Sequence, residues 1–128
     1  MRRDFLIVLV ITALLPGVAM GDIATANDRA KSGTFDATGE VRCAQEVGQP
    51  LEPCSADVAR AEDAAAVVVR FPNGFARSLM FSDRAFLRGN ATMSGTGTDM
   101  DWRLSGGMFH VRVDDQRFEI PETLVFGD

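Results

Sequence analysis

Alternating apolar and polar residues dominate the carboxyl-terminal part of the chain. In residues 108–113 and 117–120, every second side chain is apolar. A period of two places one face of a β-strand in the core and the other in water. Turn residues at 105–107 (Ser-Gly-Gly) and 114–116 (Asp-Asp-Gln) separate these two segments from each other and from residues 101–104. The pattern therefore predicts two successive β-hairpins.

The middle of the chain carries the same kind of signal. Strand-like or short apolar segments lie at residues 38–43, 57–60, 64–71, 75–81 and 85–87. Pro72-Asn73-Gly74 joins the third segment to the fourth, and Asn-Gly favours a type I′ turn. Residues 64–81 are therefore predicted to form a hairpin, and Ser-Gly-Thr-Gly-Thr at 94–98 is predicted to be a loop.

These segments together predict an all-β fold. We expect a small antiparallel β-sandwich or rolled barrel of about six to eight short strands, with the downstream phenylalanines and Trp102 in its core. Pro121 ends the last regular strand, and residues 124–126 are expected to fold back over an open edge or end of the sheet. Residues 59–66 favour a helix locally but lack a two-turn apolar face.

The amino terminus has the pattern of a signal peptide. A short positive start precedes an apolar run at residues 5–15, which is too short to span a bilayer. Ala19-Met20-Gly21 suits signal peptidase, and Ala24-Thr25-Ala26 is a second possible cut. We expect a signal-peptide helix over residues 1–21, with an uncleaved anchor or a buried helix as the alternatives. The general secretory route is favoured, although Arg2-Arg3 resembles the twin-arginine motif.

Two further segments follow the predicted cleavage site. Residues 22–33 have many small polar side chains and no apolar periodicity, so they are predicted to be a flexible leader. Residues 34–128 are predicted to be a single β domain, and the exported protein is expected to be periplasmic or secreted.

Charge excludes two classes of partner. Thirteen basic and 18 acidic residues give the 128-residue chain a net charge of −5. Nucleic acids and anionic membranes both attract clustered positive charge, so neither is an expected partner. Membrane contact is expected only through the signal peptide before cleavage.

Cys43 and Cys54 are predicted to form a disulfide bond. In an oxidising compartment, two thiols this close in sequence are expected to form a disulfide bond. A bond that closes so short a loop is expected to stabilise the fold by about 3 kcal/mol. The polar segment between the two cysteines contains Pro50 and Pro53 and is predicted to be an ordered loop. A catalytic cysteine is the alternative, but it needs a base, and His110 is far away in sequence.

Several short motifs follow one another along residues 40–127. They are Cys43-Ala44-Gln45, Gly48-Gln49-Pro50, Cys54, Val58-Ala59-Arg60, Pro72-Asn73-Gly74, Arg117-Phe118-Glu119-Ile120-Pro121-Glu122 and Val125-Phe126-Gly127. Together they resemble a group of uncharacterised small exported proteins of alphaproteobacteria. The resemblance implies a bacterial envelope or secreted setting and a compact domain. It contributes no catalytic residues, because the group has no assigned activity.

The stock of catalytic side chains is small. The chain has one histidine and no tyrosine, and neither Ser94 nor Ser105 lies in a Gly-x-Ser-x-Gly elbow. His110 lies within a strand-like segment, where a structural imidazole is the ordinary interpretation. We therefore expect no enzymatic activity. An unrecognised envelope hydrolase is the alternative, and a concave pocket holding His110 beside an Asp or Glu would favour it.

A copper site is the other chemical alternative. Its four candidate ligands are Met100, Trp102, Met108 and His110, the residue types that small periplasmic copper chaperones use for Cu(I). A three-residue turn at 105–107 would place Trp102 opposite His110 and all four side chains on one face. A two- or four-residue turn would put Trp102 and Leu104 into the core layer. Burial favours this second register, so we expect no metal and no other cofactor.

The expected function follows from these absences. A small acidic exported β domain can recognise a partner through its sheet faces and loops alone. The sequence therefore predicts a non-enzymatic binding or interaction domain for another envelope or secreted protein or ligand. Small secreted inhibitors of lysozymes are one analogous class, and acidic charge would suit a basic partner.

Overall fold

A computed structural model describes residues 18–89 and 99–128, with side chains from Asp22 onward. The elements are α1 (Val18–Lys31), β1 (Ala37–Ala44), β2 (Glu52–Ala61), β3 (Ala64–Arg70), β4 (Ala76–Ser82), β5 (Ala85–Gly89), β6 (Met100–Ser105), β7 (Met108–Val113), β8 (Gln116–Pro121) and α2 (Glu122–Phe126). The predicted loop at 94–98 and the apolar run of the predicted signal peptide lie outside the described residues. Within the described part of the chain, no helix is long and apolar enough to cross a membrane.

The eight strands form one antiparallel sheet in the order β5-β4-β3-β2-β1-β8-β7-β6. The pairing of β1 with both β2 and β8 joins the two halves of the chain in one sheet, which curls into a nearly closed barrel. Its seam lies between β5 and β6, where the Gly89 amide donates to the sulfur of Met100 at 3.3 Å but no ladder joins the two strands. The predicted all-β class and the predicted hairpins are confirmed.

Aromatic and branched side chains fill the barrel. The inward positions of four strands carry Val67, Val69, Leu79, Phe81, Phe109, Val111, Val113, Phe118 and Ile120, all of them buried. The Phe81 ring lies 4.9 Å from that of Phe109 and 5.4 Å from that of Phe86, measured between centroids. The interior of the barrel is therefore a packed hydrophobic core.

Helix α2 closes one end of the barrel. Its Val125 is fully buried, and Leu124 and Phe126 pack against the core. The Arg60 guanidinium donates to the carbonyl oxygens of Leu124 at 2.8 Å and Val125 at 3.0 Å, which satisfies acceptors at the helix end. The expectation that residues 124–126 fold back over an end of the sheet is confirmed.

Arg77 lies near the opposite end of the barrel. Its side chain is on the inward face of β4 and donates to Oε1 of Gln116 at 2.7 Å. Burial lowers the pKa of the guanidinium, and the charge of Asp114 opposes this effect. Arginine keeps its proton in such surroundings, so a charged hydrogen bond lies beside the apolar core.

The amino-terminal segment differs from its prediction as a flexible leader. Residues 22–31 belong to α1, which lies against β2, β3 and β4. Ala26 is fully buried in a cluster with Ala64, Ala66 and Met80. Alanines on the outer face of β3 let the helix approach closely, and this tertiary contact supplies stability that a short isolated helix lacks. The folded unit therefore begins before Thr34.

Two local predictions also need correction. The hairpin turn after β3 is not type I′, because only Gly74 has a positive φ there. The N–H of Gly74 donates to the carbonyl of Phe71, which closes a turn with Pro72 in its second position. Type I′ geometry occurs instead at Gly106-Gly107. Strand β2 begins at Glu52 and not at Asp57. Pro53 is tolerated in it because the ladder with β3 begins only at Ser55, so the missing N–H of Pro53 removes no hydrogen bond from that ladder.

Candidate functional site

A cleft of about 370 Å³ lies on the outer face of β6, β7 and β8. Its lining residues are Leu51, Asp101, Trp102, Arg103, His110, Val111, Arg112, Arg117, Phe118 and Glu119. The polar members occupy outward positions, because their inward neighbours on β7 and β8 are committed to the core. Strand register places His110 between Arg103 on β6 and Glu119 on β8.

His110 and Glu119 form the central pair of the cleft. The Nδ1 atom of His110 lies 3.4 Å from Oε2 of Glu119, and both side chains are about a quarter to a third exposed, at 25% and 30%. The other carboxylate oxygen of Glu119 lies 3.9 Å from Nε of Arg42 on β1. The carboxylate therefore faces the Nδ1 side of the imidazole, and Nε2 has no hydrogen-bond partner among the described residues.

The loop between β1 and β2 forms one wall of the cleft through Leu51. The guanidinium of Arg117 donates to the backbone carbonyl of Gln49 and lies 3.4 Å from that of Glu46, and Arg42 donates to the Leu51 carbonyl at 3.1 Å. The Oε1 of Gln49 accepts the amide protons of residues 45 and 46, which ties the loop to itself. Charged hydrogen bonds thus fix the wall in one position.

Arg112 anchors the other side of the cleft. It donates to Asp101 at 2.8 Å and to Asp99 at 3.3 Å, and its Nη1 also reaches the Asp114 carbonyl at 2.9 Å. The hydrogen bond to Asp101 is the main cause that raises the pKa of the Arg112 guanidinium. Arg103, the outward neighbour on β6, makes no ion pair or side-chain hydrogen bond within the described residues.

The four candidate copper ligands do not share one face. A two-residue turn pairs Ser105 with Met108, so Trp102 lies opposite Val111 and not opposite His110. Met100 and Trp102 are on the inward face, whereas Met108 and His110 point outward. The register agrees with the one that burial favours. Within residues 18–89 and 99–128, no group of three His, Cys, Asp or Glu side chains could hold a metal ion.

The prediction that Trp102 is a core residue is wrong in part. Its ring contacts Phe109 at a centroid distance of 6.0 Å, yet the residue is 40% exposed. The reason is that β6 is an edge strand, and no ladder from β5 covers its free side. Leu104 is 38% exposed for the same reason.

Cys43 and Cys54 form the predicted disulfide bond. Their Cα atoms are 6.0 Å apart, and the bond joins β1 to β2 diagonally across the ladder. Both residues belong to the hydrophobic core. The bond lies at the base of the loop whose Leu51 lines the cleft, so it supports the site without contributing to its chemistry.

The predicted site residues omit Glu119, Arg117 and Leu51. A signal for Glu119 exists, because a two-residue turn at Asp114-Asp115 pairs Val113 with Gln116 and so places Glu119 opposite His110. Assigning the turn to residues 114–116 leaves that register open. Leu51 approaches the cleft only through the loop fold, and nothing in its local sequence indicates this.

A second, more open depression of about 500 Å³ lies over the outer face of β1, β2 and β3. Glu40, Ser55 and Arg70 are among its lining residues.

Searches of protein-family models, curated proteins and solved structures found no match to the chain.

Proposed function

We propose that this chain is a non-enzymatic binding domain that recognises its partner with the cleft on β6, β7 and β8. The observation that carries the proposal is the set of polar side chains held in fixed positions around a concave surface, centred on His110 and Glu119. Preorganised side chains lower the entropy lost when a partner binds. The nearby loop wall is held in the same way by Arg117 and Arg42.

The charge of the cleft favours an acidic group on the partner. Three arginines line the cleft against one aspartate and one glutamate, although the chain as a whole has a net charge of −5. The Nε and Nη1 atoms of Arg117 make no hydrogen bond within the described residues, so they are available as donors. Such donors suit carboxylate oxygens. We therefore propose a carboxylate-bearing segment or ligand as the bound species.

Trp102 and His110 make this proposal directly testable, since they are the only tryptophan and the only histidine of the chain. Titration with a hexaglutamate peptide at low ionic strength should change Trp102 fluorescence and the His110 imidazole signals. Hexaglutamine should change neither. Arg117→Gln should weaken hexaglutamate binding about tenfold, the effect of roughly 1.4 kcal/mol from one charged hydrogen bond.

Lys31→Gln is the matched control, because it removes the same charge from exposed α1 on another face of the barrel. It should leave the affinity for hexaglutamate unchanged. Equal binding of the two peptides, or an equal loss in the Arg117 and Lys31 variants, would contradict the proposal. Thermal melts of each variant verify that the barrel is intact.

A hydrolase is a second candidate because His110 lies beside Glu119 in a concave site. Among the residues that the structure describes, no Ser, Thr or Cys lines the cleft, so the histidine would have to activate a water molecule as a general base. Turnover of chromogenic ester, phosphate or glycoside substrates that disappears in His110→Asn would favour this candidate. Equal background rates in both proteins would leave only the binding proposal.

We propose that the domain acts in the periplasm or outside the cell. The disulfide bond is compatible with an oxidising compartment, and the first 21 residues have the pattern of a signal peptide. The residues that dock α1 include Ile23, Ala26 and Ala30, which all follow the predicted cut after Gly21. Cleavage there would preserve the contacts that cover the outer face of β3.

A further inference from the structure

Strand β6 has a free edge that carries large apolar side chains. It pairs with β7 on one side only, and the described residues place no ladder on its other side. Trp102 and Leu104 are 40% and 38% exposed. An exposed edge with apolar side chains is a template for pairing with another strand.

The ladder with β7 determines which backbone groups face the free edge. Residues that flank a two-residue hairpin turn form a hydrogen-bonded pair, which here is Ser105 with Met108. Hydrogen-bonded pairs then alternate along β6, in agreement with the Asp114 amide that donates to the Asp99 carbonyl at 2.7 Å. The N–H and C=O groups of Met100, Trp102 and Leu104 consequently point toward the free edge.

The sequence of β6 is complementary to itself in antiparallel orientation. With Trp102 placed opposite Trp102 of a second copy, Asp101 lies opposite Arg103 and Arg103 opposite Asp101. Met100 and Leu104 then form the apolar pairs on the other face. Opposite charges directly across a ladder stabilise it, and like charges destabilise it.

We propose that a second copy of this chain pairs with β6 across a twofold axis centred on Trp102. The same register also provides hydrogen-bond partners for the backbone groups at the free edge, because Met100, Trp102 and Leu104 would form the hydrogen-bonded pairs. Asp101 and Arg103 would form the non-hydrogen-bonded pairs, in which side chains are closer. Arg103, which makes no ion pair or side-chain hydrogen bond within the described residues, gains a carboxylate. Asp101 keeps its contact with Arg112 and adds the second copy's Arg103.

This dimer goes beyond the proposed binding function and does not depend on it. Asp101, Trp102 and Arg103 belong both to the paired edge and to the cleft lining, whereas Arg117, the donor proposed for an acidic ligand, lies on β8. A contact of one short strand per protomer buries less area than a standard stable interface. The dimer is therefore expected to be weak, with dissociation near or above about 10 μM.

Charge reversal gives a sharp test. Asp101→Arg would place arginines opposite arginines in a homodimer, and Arg103→Asp would place aspartates opposite aspartates. Each variant alone should be monomeric in sedimentation velocity at up to about 1 mM, whereas the wild type should associate. An equimolar mixture of the two variants should form a heterodimer, because every charged pair across the ladder is then complementary.

Thermal melts must show that both variants fold, since Asp101→Arg also removes the ion pair with Arg112. The mixture is informative even if one variant is less stable, because a folding defect cannot produce association that requires both proteins. A wild type that stays monomeric at about 1 mM would overturn the proposal. So would a dimer that survives either reversal, or a mixture of folded variants that does not associate.

Discussion

Asp36 connects the amino-terminal helix to the barrel. Its carboxylate accepts the backbone N–H of Arg60 at 2.7 Å and a guanidinium N–H of Arg29 at 2.9 Å. The Arg60 hydrogen bond is the main cause that lowers the pKa of Asp36, and Arg29 adds to it against the cost of desolvation. A lowered pKa in the folded state means that the ionised carboxylate stabilises the fold.

Asp36→Asn should lower the free energy of unfolding by about 1 kcal/mol at pH 7, the usual value of one such hydrogen bond. The carboxylate contribution is present above the pKa of an unfolded aspartate, near pH 4, and is lost as pH falls through the lower folded pKa. Urea unfolding at pH 7 and below pH 4 should therefore show a difference that shrinks with acid. Asp28→Asn, at an exposed position of α1, should have little effect, and a constant difference across pH would contradict this account.

The disulfide bond is expected to contribute through the unfolded chain. Replacing both residues, Cys43→Ala with Cys54→Ala, should lower the free energy of unfolding by about 3 kcal/mol, since the loop that the bond closes is short. Denaturant melts with and without a reducing agent measure this directly. The wild type should lose stability on reduction and the double variant should not. Two titratable thiols in the unreduced, denatured wild type would contradict the assignment.

Residue-level prediction from the sequence succeeded where one local rule decides the outcome. The expected export and the short loop predict the Cys43–Cys54 bond. The alternation in β8 predicts that Phe118 and Ile120 are buried, as they are. The sequence does not predict the role of Glu119, because that role depends on which residue of β7 lies opposite it. The carboxylate becomes part of a site only when the turn register brings it to His110.

Helix α1 is the element that the sequence predicts least well. Its apolar contacts are Ile23, Ala26 and Ala30, which have helical spacing, but two of the three are alanines and the stripe is only weakly apolar. The matching surface, the outward alanines of β3, lies about forty residues downstream in the chain. Only the tertiary contact shows that the two alanine-rich segments belong together.

Ala26→Asp should detach this helix from the barrel. A carboxylate at a fully buried position without a partner is expected to cost at least about 2 kcal/mol of folding stability. Ala24→Asp is the matched control, because Ala24 is exposed on the same helix. Thermal melts and amide exchange of α1 measure the effect. Equal stability of the two variants would show that α1 does not pack as described.

Strand register explains the mixed outcome for Trp102. The burial argument predicts the correct face of β6 for Trp102. The Gly106-Gly107 turn, in which both φ values are positive, forms the two-residue hairpin that places Trp102 on that face. The burial argument does not predict exposure, which depends on whether another strand covers β6. Whether β6 is covered depends on how the whole sheet closes, and the sequence of the hairpin alone does not indicate it.

The whole molecule combines an acidic composition with a cleft where arginines outnumber carboxylates. A hydrophobic core fills the interior of the barrel, so we assign the proposed recognition to its outer surface. The acidic remainder of the surface would repel an acidic partner elsewhere. Binding is therefore expected to be local and to weaken as salt screens the charges.

Amide chemical-shift mapping of the ¹⁵N-labelled protein with hexaglutamate tests this central claim most directly. The largest shifts should fall on Leu51, His110, Arg117 and Glu119, around the cleft. Residues of the second depression, such as Glu40 and Ser55, should not move. Shifts that are largest at that second depression, or spread evenly over the barrel, would contradict the assignment of the cleft as the recognition surface.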